Sequence, residues 1–313
     1  MRVGRGPARA GTPSSGRNDV RRLQGRALVA GLAIALLTLA GCSTPETEPD
    51  AVTVSGEPGE APTITYVTPL QVDKTRTEQI WEGTGADLVE GGPVLIDFWL
   101  EDATDASLVK ESYSTNPTAM LLTEEDLGSD LYNTLRGQKV GARLLQVSPG
   151  SGSGATNYPT VTVVDVLPTR ADGQPVPARS DLPAVALDAS GAPSITPTGT
   201  DPPSALVAAP LIRGAGEQVG ANDVVTVQYT GFAWTTGEPF DSTWTHGLPV
   251  SFSLQDVQAW AEGLVDQPVG SQVMLVVPPT YALGVTDSEE LAGQTVVFVV
   301  DILATGHPDQ AAG

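Results

Sequence analysis

The chain has 313 residues, enough for two domains, and 34 Gly and 26 Pro with only 5% aromatic residues favour turn-rich β structure over a helical bundle. Its 16 basic and 37 acidic residues give a net charge of −21, and because such a surface repels polyanions we predict no nucleic-acid partner. Two His and one Cys are too few for a Cys/His metal cluster or a His-based nucleophilic triad, so we predict no metal and no cofactor.

The start of the chain has the layout of an export signal. Seven Arg precede an apolar stretch at residues 27–40, which is too short to be a comfortable membrane span. The stretch ends Leu39-Ala40-Gly41-Cys42, which resembles the bacterial lipobox, in which cleavage before the Cys leaves that residue lipid-modified. The alternative is a signal anchor with a buried free Cys. We predict a signal peptide over residues 1–41 and a lipid on Cys42 that anchors the protein to the outer face of the cell membrane.

Removal of that segment makes the chain more acidic. Residues 1–41 hold seven Arg and one acid, Asp19, so the remainder carries 9 basic and 36 acidic residues, a net charge of −27. A charge of this size keeps a tethered protein soluble, and we predict a monomer. Because the single Cys is used for the lipid, the exported protein has no disulfide and depends on packing for its stability.

Stretches rich in Pro and polar residues divide the rest of the chain. Residues 42–61 and residues 169–189 have little to bury, so we predict a flexible tether and a flexible interdomain linker there. The regions that they flank predict two domains, over residues 62–168 and 190–307. A short tail over residues 308–313 follows, and the neighbouring His307 is expected to be frayed.

The two regions have the features of an internal repeat. Strings that begin at Pro62 and Pro193 are similar and lie 131 residues apart, and residues 94–98 match residues 225–229 at the same offset. Later matches have slightly different offsets, which small loop changes between two copies of one fold would produce.

Strand signals open the second region. Residues 225–229 alternate between apolar and polar types, and a Gly-bounded turn and a second alternating pair follow. Alternation at period two means that one face of each strand is buried. We therefore expect Tyr229, Phe240 and Phe252 to share one interior surface.

A short helix is predicted next. Ser253 and Asp256 fit the [ST]-x-x-[DE] pattern that is typical of a helix start. Val257, Trp260 and Leu264 then fall at i, i+3 and i+7, the spacing of one buried stripe.

Several strings of this region resemble, in order, those of the FKBP family of peptidyl-prolyl isomerases. They are YTG at 229–231, GEPFDS at 237–242, WAEGL at 260–264, Gly270 with VMLVVP at 273–278, and TVVFVVDIL at 295–303. Together they span most of a domain. The resemblance implies an α+β fold with two FKBP-like domains, each a curved antiparallel sheet wrapped around one short helix.

The resemblance also implies a site. Trp260 corresponds to the floor of the family's pocket and Asp241 to the carboxylate at its edge. The backbone N–H of Val257 corresponds to the group that binds the substrate carbonyl. Leu283 stands where the family usually has a Tyr that donates a hydrogen bond to the bound amide, and Asp256 stands where an aliphatic residue is usual. The walls correspond to four aromatic residues, Tyr229, Phe240, Phe252 and Phe298.

Plain structural interpretations of these residues stay open. Trp260 and the aromatic residues are also ordinary core candidates, and Asp241 is also a candidate for a turn-capping carboxylate. Leu283 cannot donate a hydrogen bond, and the loss of one such bond costs about 0.5–1.5 kcal/mol. We therefore expect binding of substrate or of macrolide inhibitors to be weakened about tenfold at most.

Prolyl isomerisation needs no nucleophile, metal or proton transfer. The barrier of about 18–20 kcal/mol arises from amide resonance, and an apolar pocket that binds the twisted amide better than the planar one lowers it. Because the uncatalysed reaction takes tens to hundreds of seconds, it limits the folding of proteins that contain such bonds.

The first region is expected to keep the fold and to lack the site. At the places that hold Tyr229, Phe240, Trp260 and Phe298 it has Phe98, Lys110, Leu131 and Thr162.

These features together predict a lipid-anchored peptidyl-prolyl cis-trans isomerase whose second domain is active on unfolded or newly exported Pro-containing proteins. The alternative is a chaperone or scaffold lipoprotein that grips such segments without turnover. A purely structural surface lipoprotein would give the aromatic residues no reason to cluster.

Overall fold

The computed structural model describes residues 51–150, 157–281 and 293–307. The predictions for the signal peptide, Cys42, Leu283 and the C-terminal tail lie outside these residues. All described residues fall in one compact unit, Thr47–Gly313, so the division into two domains stays a prediction. Within the described ranges, no helix is both long enough and apolar enough to cross a membrane.

The first part of the chain forms a hairpin, a six-stranded sheet and one helix. Its elements are β1 (Thr53–Ser55), β2 (Thr63–Thr65), β3 (Arg76–Trp81), β4 (Pro93–Asp102), β5 (Ser107–Glu111), β6 (Thr118–Leu121), α1 (Glu124–Leu135), β7 (Arg143–Ser148) and β8 (Thr160–Leu167). The sheet has the antiparallel order β3-β7-β8-β4-β5, and β6 also pairs with β4. Helix α1 starts after Thr123, whose hydroxyl accepts the N–H of Asp126, and it is kinked at Gly128.

The second part forms another hairpin, a seven-stranded sheet and short helices. Its elements are β9 (Gln174–Pro175), β10 (Ala184–Leu187), β11 (Pro193–Thr196), β12 (Val207–Arg213), β13 (Val224–Ala233), β14 (Pro239–Ser242), α2 (Thr243–His246), β15 (Val250–Ser253), a 3-10 turn (Leu254–Asp256), α3 (Gln258–Leu264), β16 (Gln272–Val277) and β17 (Val296–Gly306). The sheet has the order β14-β13-β17-β16-β12-β9, and β15 also pairs with β13. Antiparallel sheets with few helices confirm the predicted α+β class.

The two sheets share strand order and register. The order β3-β7-β8-β4-β5 has the same sequence of connections as β12-β16-β17-β13-β14. Phe98 pairs with Val164 in the first sheet as Tyr229 pairs with Val300 in the second. The shared register supports the repeat that the sequence predicts.

Each sheet is covered on both faces. In the second sheet, Val225 and Val227 pack towards Trp260 of α3. On the other face, Trp234 packs with Leu182 and with residues of the β10–β11 hairpin. Because successive side chains of a strand point to opposite faces, one strand supplies both layers.

The stretches that we expected to be flexible contain strands. β1 lies in the predicted tether and pairs with β2, and its Val54 packs against the core. β9 and β10 lie in the predicted linker, and Leu182 between them is buried. Isolated apolar residues in these Pro-rich stretches cover an outer sheet face, which composition alone does not reveal.

Two local expectations also differ from the structure. Ser253 caps a 3-10 turn and accepts the N–H of Gln255, so α3 begins only after Val257. His307 is not frayed, because its Nδ1 lies 2.7 Å from Oδ1 of Asp223 and its Nε2 lies 2.9 Å from Oε1 of Glu217. Hydrogen bonds to these two carboxylates raise the pKa of His307 above its ordinary value.

Candidate active site

Five aromatic side chains from five elements meet between the second sheet and α3. We call Tyr229, Phe240, Phe252, Trp260 and Phe298 the aromatic cluster. The Trp260 ring lies 4.8 Å from Phe252, 5.1 Å from Tyr229 and 5.3 Å from Phe298, measured between ring centroids. Phe240 lies 5.7 Å from Phe298, and every contact is edge-to-face, the geometry that favours aromatic pairs.

Part of the cluster is open to solvent. Trp260 and Phe298 are 5% and 4% exposed, so they form its base. Tyr229, Phe240 and Phe252 are only half-buried, so they form its rim. An apolar surface with a buried base and a partly exposed rim can receive a small apolar ring.

Two glycines make this packing possible. A Cβ atom on Gly231 of β13 would lie 2.6 Å from Cζ of Phe240 and 2.9 Å from Cε1 of Phe298. A Cβ atom on Gly263 of α3 would lie 2.4 Å from Cδ2 of Leu275, so this glycine lets the helix approach the sheet. Glycine is therefore required in the strings YTG and WAEGL because a larger side chain at either position would clash with its neighbours. The sequence interpretation had not used them as site residues.

One polar pair lies at the rim. The Tyr229 hydroxyl donates to Oδ2 of Asp241 over 2.5 Å. Burial, together with this hydrogen bond, raises the pKa of Tyr229, so the hydroxyl stays protonated and keeps its donor role. Thr243 follows β14 and connects it to β13, because its hydroxyl oxygen accepts a hydrogen bond from the Tyr229 N–H over 2.9 Å. The role of Thr243 was missed, although it follows the FDS string directly.

Val257 at the start of α3 and Tyr281 after β16 pack against the core around the aromatic cluster. Val257 is half-buried, and its N–H donates to the Leu254 carbonyl over 3.4 Å. A bond of this length is weak, so the N–H is available to a better acceptor. Tyr281 also packs against the hydrophobic core that contains Trp260 and Phe298, and its hydroxyl donates to Oε2 of Glu262 over 2.7 Å. Neither Tyr281 nor Glu262 was predicted as a site residue.

Leu283 lies outside the described residues, as does Cys42, so their predicted roles stay predictions. Among the described residues, no group of His, Cys, Asp and Glu is arranged to hold a metal ion.

The first part differs at the equivalent place. The Gly231–Phe298 pair of the second sheet corresponds to a Leu100–Thr162 pair in the first. The larger side chain of the pair therefore lies on β4 in the first sheet and on β17 in the second. The substitution of Leu100 for Gly231 was not predicted from the sequence to affect the site.

The register corrects one alignment. Lys110 pairs with Leu100 as Asp241 pairs with Gly231, so Lys110 stands at the place of Asp241 and not of Phe240. The Lys110 ammonium lies 5.6 Å from the centroid of the Phe98 ring, where the second part has its Tyr229–Asp241 hydrogen bond.

Comparisons with known proteins identify the family of this fold and site. The model of the family described as FKBP-type peptidyl-prolyl cis-trans isomerase matches residues 215–303. An FK506-binding protein from Streptomyces anulatus is 32% identical over 118 residues, which are 36% of this chain and 95% of that protein. A protein named "Probable FK506-binding protein" from Corynebacterium glutamicum is 36% identical over 104 residues, 33% of this chain and 88% of that protein.

Among solved structures, the chain is similar to FkpA from Escherichia coli. The identity is 29% with a TM-score of 0.31, and the match covers 40% of this chain and 52% of that one. The chain belongs to the family of FKBP-type peptidyl-prolyl cis-trans isomerases. The predicted enzyme class is confirmed.

Proposed function

We propose that the aromatic cluster of the second part is the isomerase site. The observation that carries this proposal is the convergence of five rings on a buried Trp260, with one hydrogen-bonded Tyr229–Asp241 pair at the rim. A proline ring that enters the cluster leaves water and stacks on Trp260. The N–H of Val257 then donates a hydrogen bond to the carbonyl of the substrate residue that precedes the proline.

The chemistry follows from amide resonance. Rotation about the X–Pro bond takes the carbonyl and the nitrogen out of conjugation, so the transition state is less polar than the planar amide. An apolar site stabilises that state more than the ground state, which lowers the barrier. No residue of the aromatic cluster needs to transfer a proton, which suits a Tyr229 whose pKa is raised by burial.

The first part is proposed to be a second FKBP-like domain without the site. The shared strand order and register support a common fold. The substitutions Leu100, Lys110, Leu131 and Thr162 support the loss of the cluster. The division into domains over residues 62–168 and 190–307 belongs to the same proposal.

The proposed clients are unfolded or newly exported proteins that contain proline. Two relatives are named for binding FK506, and we propose that the same cluster takes that macrolide. The proposed location is the outer face of the cell membrane, with the lipid on Cys42. Labelling of the wild type by a radioactive fatty acid, and its loss in Cys42→Ser, would support the anchor, and an unlabelled wild type would refute it.

The site is tested by catalysis of a Pro-containing peptide with the purified chain. Trp260→Leu removes the indole but keeps an apolar residue that the first part tolerates at Leu131. We expect kcat/KM to fall about tenfold or more, which corresponds to at least 1.4 kcal/mol of transition-state stabilisation.

The matched control is Leu131→Ala in the first part, which opens a cavity of comparable structural cost. This control should keep activity within about twofold of wild type. Circular dichroism checks that both variants are folded. Wild-type protein that binds the peptide without accelerating it would point to a Pro-binding module, and equal activity in Trp260→Leu would place the site elsewhere.

A further inference from the structure

The second part is strongly acidic. Residues 190–307 contain 12 acidic residues and a single Lys or Arg, which is Arg213. Arg213 lies on β12, and three strands separate β12 from β14 in the sheet. The aromatic cluster is built from β13, β14, β15, β17 and α3, so Arg213 lies on a strand that contributes nothing to it.

One of these acidic residues, on α3, is held in place by two hydrogen bonds. Glu262 lies on α3 two residues after Trp260, and its Oε2 accepts the Tyr281 hydroxyl over 2.7 Å. Its Oε1 accepts Nε2 of Gln258 over 2.8 Å. These hydrogen bonds lower the pKa of Glu262, so the carboxylate is charged at neutral pH. Tyr281 packs against the hydrophobic core that contains Trp260 and Phe298, so its hydrogen bond holds the Glu262 carboxylate at the edge of that core.

A second carboxylate stands beside the proposed carbonyl-binding group. Asp256 ends the 3-10 turn and is exposed, and it directly precedes Val257, which packs against the core that contains Trp260 and Phe298. Asp241 adds a third carboxylate, engaged by Tyr229. Substrate residues that flank a proline bound in the cluster therefore pass close to negative charge.

We propose that Glu262 and Asp256 are specificity-determining residues that direct the site towards prolines flanked by Lys or Arg and against prolines flanked by Asp or Glu. This inference rests on the proposed function of the aromatic cluster. A charge pair at contact distance in water changes an equilibrium by about fivefold. The preference is therefore modest and disappears when salt screens the charges, because the screening length falls to about 3 Å at 1 M salt.

The test uses three peptides that differ only in the residue before the proline, which is Lys, Leu or Glu. The measured quantity is the ratio of kcat/KM between the Lys and Glu peptides. We expect a ratio of at least about five in low salt and below about two in 1 M salt. The double variant Glu262→Gln with Asp256→Asn should lower the low-salt ratio to below about two. A Gln at 262 still accepts the Tyr281 hydroxyl, so the rim geometry is kept.

The matched control is Asp201→Asn, which removes one exposed charge from the same part of the chain. Its neighbour Thr200 accepts the Trp234 indole N–H on the opposite face of the sheet, away from the aromatic cluster. This control should keep the full Lys-to-Glu ratio. A change that affects all three peptides equally does not count as a change in specificity.

The outcomes separate the two proposals. If the wild type does not accelerate the Leu peptide, the proposed function fails and this inference fails with it. If the Leu peptide is accelerated but the Lys-to-Glu ratio stays below two in low salt, the charge preference is wrong and the isomerase site stands. A ratio that is high but unchanged in the double variant overturns the assignment to Glu262 and Asp256.

Discussion

Asp301→Asn should stabilise the second part at neutral pH. Asp301 lies on β17 and is 3% exposed. Its Oδ1 accepts Nε2 of Gln272 over 2.7 Å and its Oδ2 accepts the Ala171 N–H over 2.8 Å. Burial outweighs these hydrogen bonds and raises the pKa of Asp301 from 3.8 to about 6.

The size and sign of the effect follow from proton linkage. Because the folded-state pKa is raised, the folded state holds the proton more tightly than the unfolded state. The resulting stability is fully present below pH 3.8 and is lost as the pH rises through about 6. A shift from 3.8 to about 6 corresponds to about 3 kcal/mol at 1.36 kcal/mol per pKa unit.

The amide of the variant has no charge to bury. It can accept the Ala171 N–H and donate to Gln272, whose own amide can turn to present its oxygen. We therefore expect Asp301→Asn to be up to about 3 kcal/mol more stable than wild type at pH 7.5 and nearly equal to it at pH 4.

Urea unfolding at several pH values, followed by tryptophan fluorescence, measures this difference. Some pH dependence remains in the variant, because burial also raises the pKa of Asp97 in the first sheet to about 6. The exposed Asp201→Asn serves as the control and should follow wild type at each pH. An Asp301→Asn variant that is less stable than wild type at pH 7.5, with the same pH profile, would refute the reasoning.

Three further predictions concern other parts of the molecule. Tyr229→Phe removes the hydrogen bond to Asp241 and should lower kcat/KM severalfold in the peptide assay while costing only about 1 kcal/mol of stability by urea unfolding; an unchanged kcat/KM would exclude a role for that pair. His307→Gln should destabilise the protein most below pH 6.5, because the raised pKa makes the protonated imidazole stabilising there, and thermal unfolding at pH 5.5 and pH 9 should show the difference shrinking as pH rises. Arg143→Met leaves Asp165 buried without its partner and should cost about 3–5 kcal/mol in urea unfolding of the first part, while activity of the folded protein persists.

The burial of the aromatic side chains of the second part on a shared surface could be predicted from the sequence. Alternation on strands and helical spacing around Trp260 place large apolar residues on faces that must be buried. The structure brings these residues together at ring-centroid distances of 4.8–6.0 Å. The sequence strings contain both the aromatic residues and the glycines that leave space for close packing. Such a string therefore constrains the structure of the site more than any single residue does.

The burial of a side chain by partners that are distant in sequence could not be predicted from the sequence. Arg143 is fully buried, donates to both oxygens of Asp165, and reaches the backbone carbonyl of Glu60. An Arg in an alternating strand indicates a solvent-facing position, and only the β1–β2 hairpin that folds over it changes that. The same cause hid the strands in the Pro-rich stretches, because their few apolar residues have meaning only against a sheet face.

Register errors have a different origin. The sequence alignment placed Lys110 opposite Phe240 because it matched Glu111-Ser112 to Asp241-Ser242, at an offset of 130 residues. In the structure Lys110 pairs with Leu100 as Asp241 pairs with Gly231, which is an offset of 131 residues. An acidic residue before a Ser occurs in both strings, so sequence similarity favours an offset that is wrong by one residue, and the strand pairing corrects it.

The position of β17 determines when the second sheet can form during synthesis. β17 pairs with β13 on one side and β16 on the other, so the last strand within the described residues is a central strand of the sheet. Until residues 296–306 leave the ribosome, β13 and β16 have no common neighbour, and Phe298 is missing from the aromatic cluster. The first sheet closes earlier, when β8 is complete at Leu167. A nascent chain therefore carries a finished first sheet for more than a hundred residues of synthesis before its second sheet can assemble.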